Sequence, residues 1–328
     1  FSAQDQRIAN DSKVQDALVL PKEKELFYGY LSWLVGVLFG RYQWSSEKPV
    51  QSFSYKPFSP LPSIQPASSE MDSKPDVFVY DNAVSNDIAS KLEMLALKIG
   101  VKTNLDYNKW IQKEFFPYHL KTYSKSRRQA PIYWPLSMSD GGFTLWLYFP
   151  SLTNETLFKC INNFVDPKIS ALEEHVDSLK KNRIDGGSEE LSFVSDSLFE
   201  IRNLRDLLLE VSESWSPCLD DGVMITAAPL WRLFTYAPWR NKLKKIWEEL
   251  EDGKYDWSRM AYNYWPERVL RKCYENRSFA ISHNVDDFLW EKKSDSASRA
   301  SKAKPNWQPK EMTEAEFDIF IEHRIEKG

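Results

Sequence analysis

Between residues 49 and 75 the chain carries six prolines, Pro49, Pro57, Pro60, Pro62, Pro66 and Pro75, set among serines. Proline lacks a backbone N–H and its ring clashes with the preceding turn, so neither a helix nor a central strand survives that density. The segment reads as an exposed connection, and it divides everything before it from everything after. At 328 residues, with about 150 residues per domain as a soft expectation, about two folding units follow. Apolar residues make up 42% and aromatics 14%, enough for packed cores and too much for a disordered chain.

The other segments follow from periodicity. Residues 1–46 form an N-terminal helical segment, frayed before Asn10. From Pro21, Leu26, Tyr30, Leu34 and Leu38 recur at i, i+4, with Trp33 and Val37 widening the stripe. Gly36 and Gly40 are expected to let another backbone approach closely. The longest apolar run, Leu31–Phe39, is about half of the roughly 20 residues a membrane span needs, so it reads as a buried helix and no membrane partner is expected. Residues 47–75 are the Pro/Ser linker.

Residues 76–168 read as an α+β domain. Asp76–Tyr80 is a short strand; Ser85 or Asn86 caps a helix bearing Ile88, Leu92, Leu95 and Ile99 that ends at Gly100; a further helix over Leu105–Phe116 is stopped by Pro117. Pro131–Pro135 and Phe143–Tyr148, separated by Ser139-Asp-Gly-Gly142, predict a β-hairpin. In residues 169–216 the pattern changes. Ile169, Leu172, Val176 and Leu179, then Val194, Ile201, Leu204, Leu208, Val211 and Trp215, fall on heptad a and d spacing on either side of Asp185-Gly-Gly187. That is an antiparallel helical hairpin.

Residues 217–293 hold Trp231, Trp239, Trp247, Trp257 and Trp265, with Pro229, Pro238 and Pro266 breaking the region into short helices. Residues 294–328 comprise a Ser/Ala/Lys linker to Lys304 and a terminal helix. Thr313 and Glu316 form its capping box, and Phe317, Phe320, Ile321 and Ile325 its apolar face.

Enzyme signatures are scarce. With only 11 glycines, the chain has no Walker A loop, GxGxxG, HExxH, GxSxG or zinc spacing, and no catalytic, cofactor-binding or metal residue is assigned. Three scattered cysteines, Cys160, Cys218 and Cys273, rule out a disulfide framework and fit a reducing, cytoplasmic compartment. The opening residue Phe1 is what a fragment or processed product would show. His119, His175, His283 and His323 lie far apart and read as surface or satisfied core residues. Asp220-Asp221-Gly222 followed by Val223-Met-Ile225 reads as a turn entering a strand. Its alternative, a metal-dependent nuclease site, lacks a Glu-x-Lys partner.

Charge is the better guide. The formal net charge is −4, so any affinity for nucleic acid must be local. From Phe115 to Ser139 there is no acidic residue, while Lys121, Lys125, Arg127 and Arg128 interleave with Tyr118, Tyr123, Tyr133 and Trp134. From Gly222 to Trp247 acids are again absent and Arg232, Arg240, Lys242, Lys244 and Lys245 sit among aromatics. Such stretches concentrate positive potential where phosphates bind, and Arg can also read guanine edges. The DNA-binding candidates are Lys121, Tyr123, Lys125, Arg127, Arg128, Arg232, Arg240, Lys242, Lys244 and Lys245.

Several long strings carry a resemblance. Leu31-Ser-Trp-Leu-Val-Gly-Val-Leu-Phe-Gly-Arg-Tyr42 resembles the SxLVGxxFGRW segment of large adenine-specific DNA methyltransferases of the PglX type, from BREX phage-exclusion systems, with Tyr42 where that segment has Trp. Tyr123-Ser-Lys-Ser-Arg-Arg-Gln-Ala-Pro-Ile-Tyr-Trp-Pro-Leu136, Gly142–Tyr148, Asn162–Lys168, Leu219–Ile225, Ala228–Trp231, Tyr255–Trp257 and Trp265–Pro266 resemble the same family in the same order, over most of Phe27–His283.

The family resembles type IIG restriction–modification methylases, in which an S-adenosylmethionine-binding catalytic domain precedes a target-recognition region. Its FxGxG and (N/D)PP(Y/F) motifs are absent here, and the only Asp-Pro, Asp166-Pro167, is followed by Lys168. The resemblance therefore implies a bacterial phage-defence protein's C-terminal part: a target-recognition-like domain, a helical spacer and a Trp-rich helical region. It would bind double-stranded DNA for a methyltransferase catalytic domain in the same parent chain or complex, with other BREX subunits as possible partners. The alternative reading is a protein-interaction scaffold, its Trp-rich third docking defence-system subunits or a phage-encoded inhibitor.

Overall fold

The structure is a computed structural model that describes residues 21–42, 76–84, 86–100, 105–126, 128–181, 188–293 and 307–327. The Pro/Ser connection, the Gly-Gly turn, the Ser/Ala/Lys linker, Ser85 and Arg127 lie outside the described residues. The fold is mixed α+β, mainly helical with small antiparallel sheets.

In chain order the first elements are α1 (Pro21–Leu38), β1 (Val77–Asp81), α2 (Ile88–Lys98), α3 (Tyr107–Lys109), α4 (Phe115–Thr122), β2 (Ser124–Lys125), β3 (Arg128–Gln129), β4 (Tyr133–Ser137) and β5 (Phe143–Tyr148). They are followed by α5 (Thr156–Cys160), α6 (Asp166–Lys181), α7 (Ser188–Ser212), α8 (Val223–Ala227), α9 (Ala237–Glu251), α10 (Arg259–Tyr264), α11 (Pro266–Glu275), α12 (Arg277–Ser282), α13 (Asp286–Leu289), β6 (Trp290–Lys292), β7 (Trp307–Pro309) and α14 (Glu314–Lys327). Contacts group the chain into two compact units, the first being residues 1–127, 133–135 and 140–148, the second residues 128–132, 136–139 and 149–328.

In the first unit β1 pairs antiparallel with β5, Val77 opposite Leu147 and Asp81 opposite Phe143. Beyond β5 lies β4, whose Tyr133–Pro135 belong to this unit. The expected hairpin forms. Helix α1 packs on α2 and α4, and Leu31, Leu34, Ile88, Leu92, Trp110, Phe115, Trp134 and Trp146 are fully buried between the layers. At about 25 cal/mol per Å2 of apolar area removed from water, these indoles and rings dominate the unit's hydrophobic stabilisation.

Three expectations for these elements need correction. Leu26 of the expected α1 stripe is exposed, and Leu31 and Val35 are buried with Leu34. The cap of α2 is Asp87, whose carboxylate accepts the Ser90 N–H at 2.9 Å, rather than Ser85 or Asn86. Pro117 does not end a helix but sits inside α4. The preceding π-helical turn, Trp110–Glu114, closes with the Phe115 N–H donating to the Trp110 carbonyl. That wider turn makes room for the ring that would clash with an ordinary α-turn.

The second unit contains the helical hairpin. Helices α6 and α7 run antiparallel, with Arg205 on Asp166 at 2.6 Å and Arg202 on Glu173 at 2.5 Å. Val176, Val194, Ile201, Leu204, Leu208, Val211 and Trp215 are buried, while Ile169, Leu172 and Leu179 of the same expected seam are half-buried. Downstream, Val223–Ala227 is helix α8 and not the expected strand. Thr226 shows why: its hydroxyl donates to the Gly222 and Cys218 carbonyls at 2.9 and 3.0 Å, and its own carbonyl accepts the Trp215 indole N–H at 2.9 Å. Those bonds fold the segment back on itself, and tertiary context overrides the β-branched composition.

Pro238 and Pro266 sit in the first turns of α9 and α11 and so begin helices, where a missing N–H costs nothing. The β6–β7 pair, with Glu291 opposite Gln308, had no sequence signal. The α14 capping box forms, with the Thr313 N–H donating to Glu316 at 2.8 Å and the Glu316 N–H to Thr313 Oγ1 at 3.3 Å. Of its apolar face Phe317 and Ile321 are buried, while Ile325 is exposed.

Candidate functional site

The most distinctive polar arrangement in the first unit begins at the end of α1. Gly40 adopts φ +68, the left-handed conformation that glycine enters without a Cβ penalty. Its N–H donates to the Val37 carbonyl at 2.9 Å, and the Arg41 N–H to the Gly36 carbonyl at 2.8 Å. This is a Schellman cap, and it turns the chain so that Arg41 leaves the helix axis. Gly36 provides clearance for an aromatic ring rather than for the expected backbone: a methyl there would meet Tyr42 ring carbons at 2.5 Å.

Arg41 is half-buried. One guanidinium nitrogen donates to the Tyr123 hydroxyl, and its central carbon lies 5.0 Å from the Tyr42 ring centroid and 5.7 Å from that of Tyr123. Tyr133 and Tyr148 stack 5.4 Å apart beside Phe39. Burial works against the Arg41 charge, but bonding to Tyr123 and the fields of Tyr123, Tyr42 and Tyr133 outweigh it and raise the guanidinium pKa. Burial likewise raises the Tyr133 phenol.

His119 packs against Tyr123 and Tyr133 with centroids 4.4 and 4.9 Å away, and its Nε2 accepts the Tyr133 N–H at 3.2 Å. Burial, with Arg41 adding to it, pushes the His119 pKa down to about 3, so the ring is neutral and structural at physiological pH. No carboxylate pairs with Arg41 among the described residues. A half-buried cation whose partners among the described residues are phenols retains charge and N–H donors for an external anion, and phosphate fits that chemistry.

The sequence-predicted residues fall as follows. Tyr123 is the C-cap of α4 and holds Arg41. Lys121 is exposed and ion-paired to Glu25 at 3.2 Å, beside a shallow cleft with Tyr28, Lys113 and Glu114 whose charges balance. Lys125 on β2 is exposed. Arg127 lies outside the described residues. In the second unit Arg128 on β3 and Lys245 on α9 are exposed, while Arg240 and Lys242 are half-buried. Burial lowers the Lys242 pKa. Arg232 is bonded to Glu210. Lys244 lies 5.4 Å above Trp231 and 4.0 Å from Glu248.

Arg232 and Lys244 are brought to one cleft, but each with a carboxylate beside it. Arg41 was missed by charge reading because it is a lone base outside both acid-free stretches. The available signal was its place directly after a helix-ending glycine.

Asp220 is exposed, and the Asp221 carboxylate accepts the Arg259 and Met260 N–H groups at 2.9 and 2.7 Å. It caps α10 across the fold, and desolvation raises its pKa. No group of three or more metal-ligating side chains occurs among the described residues. Among the described residues the left-handed glycines Gly40, Gly100, Gly141, Gly222 and Gly253 sit in helix ends and turns, not in the glycine cluster between a strand and a helix that a nucleotide-binding loop uses. No helix among the described residues is long and apolar enough to cross a membrane. No family model matches the chain, and no curated protein matches it.

Proposed function

We propose that this chain is the DNA-binding, target-recognition portion of a BREX-type, adenine-N6-specific DNA methyltransferase of bacterial phage defence. It would work in the cytoplasm, with methyl transfer assigned to an S-adenosylmethionine-dependent catalytic domain of the parent protein. The observation that carries the reading is the convergence on Arg41. Three strings that resemble the family, Leu31–Tyr42, Tyr123–Leu136 and Gly142–Tyr148, supply Arg41 with Tyr42, Tyr123 with Tyr133, and Tyr148. Shared strings that meet around one cation support a binding role for it. Phosphate contact by Arg41, with Lys125 of the same unit exposed for a further contact, suits a duplex backbone.

The test is fluorescence anisotropy with duplex DNA over a salt series. Affinity should fall steeply between about 50 and 200 mM salt. Arg41→Gln should weaken binding about ten- to a hundredfold and lower the salt slope by about one, and Arg127→Glu with Arg128→Glu should weaken it further. Binding that ignores both salt and these substitutions would remove the proposal. A second reading, a docking scaffold, is favoured by one observation: the Arg232 and Lys244 cations of the Trp-rich region are already held by carboxylates.

A further inference from the structure

The second unit seats arginine guanidinium groups on tryptophan faces beside a carboxylate, and does so twice with its own residues. Arg268 lies 4.5 Å from the Trp265 ring centroid and 2.8 Å from Asp256. Arg277 lies 3.6 Å from the Trp307 centroid and 3.1 Å from Asp286. Aromatic rings and a carboxylate also line a cleft of ≈ 460 Å3 beside α9, where Trp247, Tyr264 and Glu251 border the space. Trp247 and Tyr264 meet edge to face, with centroids 4.9 Å apart.

The difference is the missing cation. Lys244 is engaged with Trp231 and Glu248, and Arg232 with Glu210, while no cation of the described chain lies on Trp247 or Tyr264, and none pairs with the Glu251 carboxylate. With three carboxylates against two cations the cleft is net negative. Its size lies in the range of about 300–1,000 Å3 usual for ligand sites.

We propose that this cleft receives an arginine side chain presented by a partner polypeptide. The planar guanidinium stacks on Trp247, beside the Tyr264 ring that meets it nearly at a right angle, and is held by Glu251, as Arg268 is by Trp265 and Asp256. The site lies wholly in the second unit and does not rest on DNA binding.

The experiment uses the full chain labelled with 5-fluorotryptophan, the Trp247 resonance being assigned by its loss in Trp247→Phe. The probe is the peptide Gly-Arg-Gly, with the neutral isostere Gly-citrulline-Gly and Gly-Lys-Gly as comparisons. A saturable shift of the Trp247 resonance with the arginine peptide, absent with citrulline and weaker with lysine, is the expected result. Glu251→Gln, an exposed position on the helix surface, should weaken that response about tenfold while leaving salt-dependent duplex binding unchanged. No saturable shift, an equal response to citrulline or lysine, or an unaltered response in Glu251→Gln would overturn the proposal. Loss of duplex binding in Arg41→Gln with the arginine response intact would separate the two sites.

Discussion

In the first unit Arg41 stands among phenol rings with no described carboxylate beside it, whereas in the second unit the fully buried Asp256 holds Arg268 at 2.8 Å and Lys272 at 2.6 Å. Both are partly buried cation sites, and their chemistry diverges. A carboxylate-locked cation has its field cancelled and its donors occupied, so it contributes to structure. A cation ringed by neutral hydroxyls keeps an outward field and can answer to an anion that the chain does not supply. The acid-free stretches of sequence do not separate these cases, because the neutralising carboxylates come from elsewhere: Glu210 for Arg232, Glu25 for Lys121.

The largest effect should come from breaking the locked side of this contrast. Asp256→Ala leaves Arg268 and Lys272 without their carboxylate and should cost about 3–5 kcal/mol in urea unfolding. If the loss is under about 1 kcal/mol, the network is not structural and the contrast collapses. Next is the open side. The ten- to hundredfold loss of duplex affinity in Arg41→Gln is worth about 1.4–2.8 kcal/mol, and unfolding midpoints should show that the variant remains folded.

The third effect is acid. The His119 ring titrates near 6.5 when unfolded and about 3 when folded, so between these values the unfolded chain binds the extra proton. Its contribution is complete above pH 6.5 and drains as pH falls towards 3, by at most about 1.4 kcal/mol per unit. Urea midpoints at pH 7.5 and 5.5 should diverge in the parent chain, and less so in His119→Gln. The smallest effect sharpens the comparison from the surface. Arg232→Gln, removing an exposed pair with Glu210, should change stability by about 1 kcal/mol or less, and should leave duplex affinity within about twofold if Arg232 is as fully occupied as its ion pair implies.

Local patterns were legible wherever one element contains its own cause. The heptad spacing of Val194 to Val211 specified which face of α7 would be buried, because a 3.6-residue helix puts those positions on one side. Thr313 and Glu316 specified their capping box for a similar reason: donor and acceptor are three residues apart. The candidate site was less legible. Tyr123 was found because it lies in a basic, aromatic stretch, but Arg41, which its hydroxyl holds, comes from 82 residues earlier.

What the amino-acid order determined by itself is therefore short in range: the buried face of α7, the α14 capping box, the β4–β5 hairpin and the absence of glycine-rich cofactor motifs. What only the tertiary structure decided is which charges are cancelled. Coulombic attraction and desolvation depend on distance in space and on burial. Glu210 and Arg232, or Asp256 and Lys272, are separated along the chain and joined only by folding. Arg41 is set apart by the same rule, because folding surrounds it with Tyr42, Tyr123, Tyr133 and Tyr148 and brings it no carboxylate among the described residues.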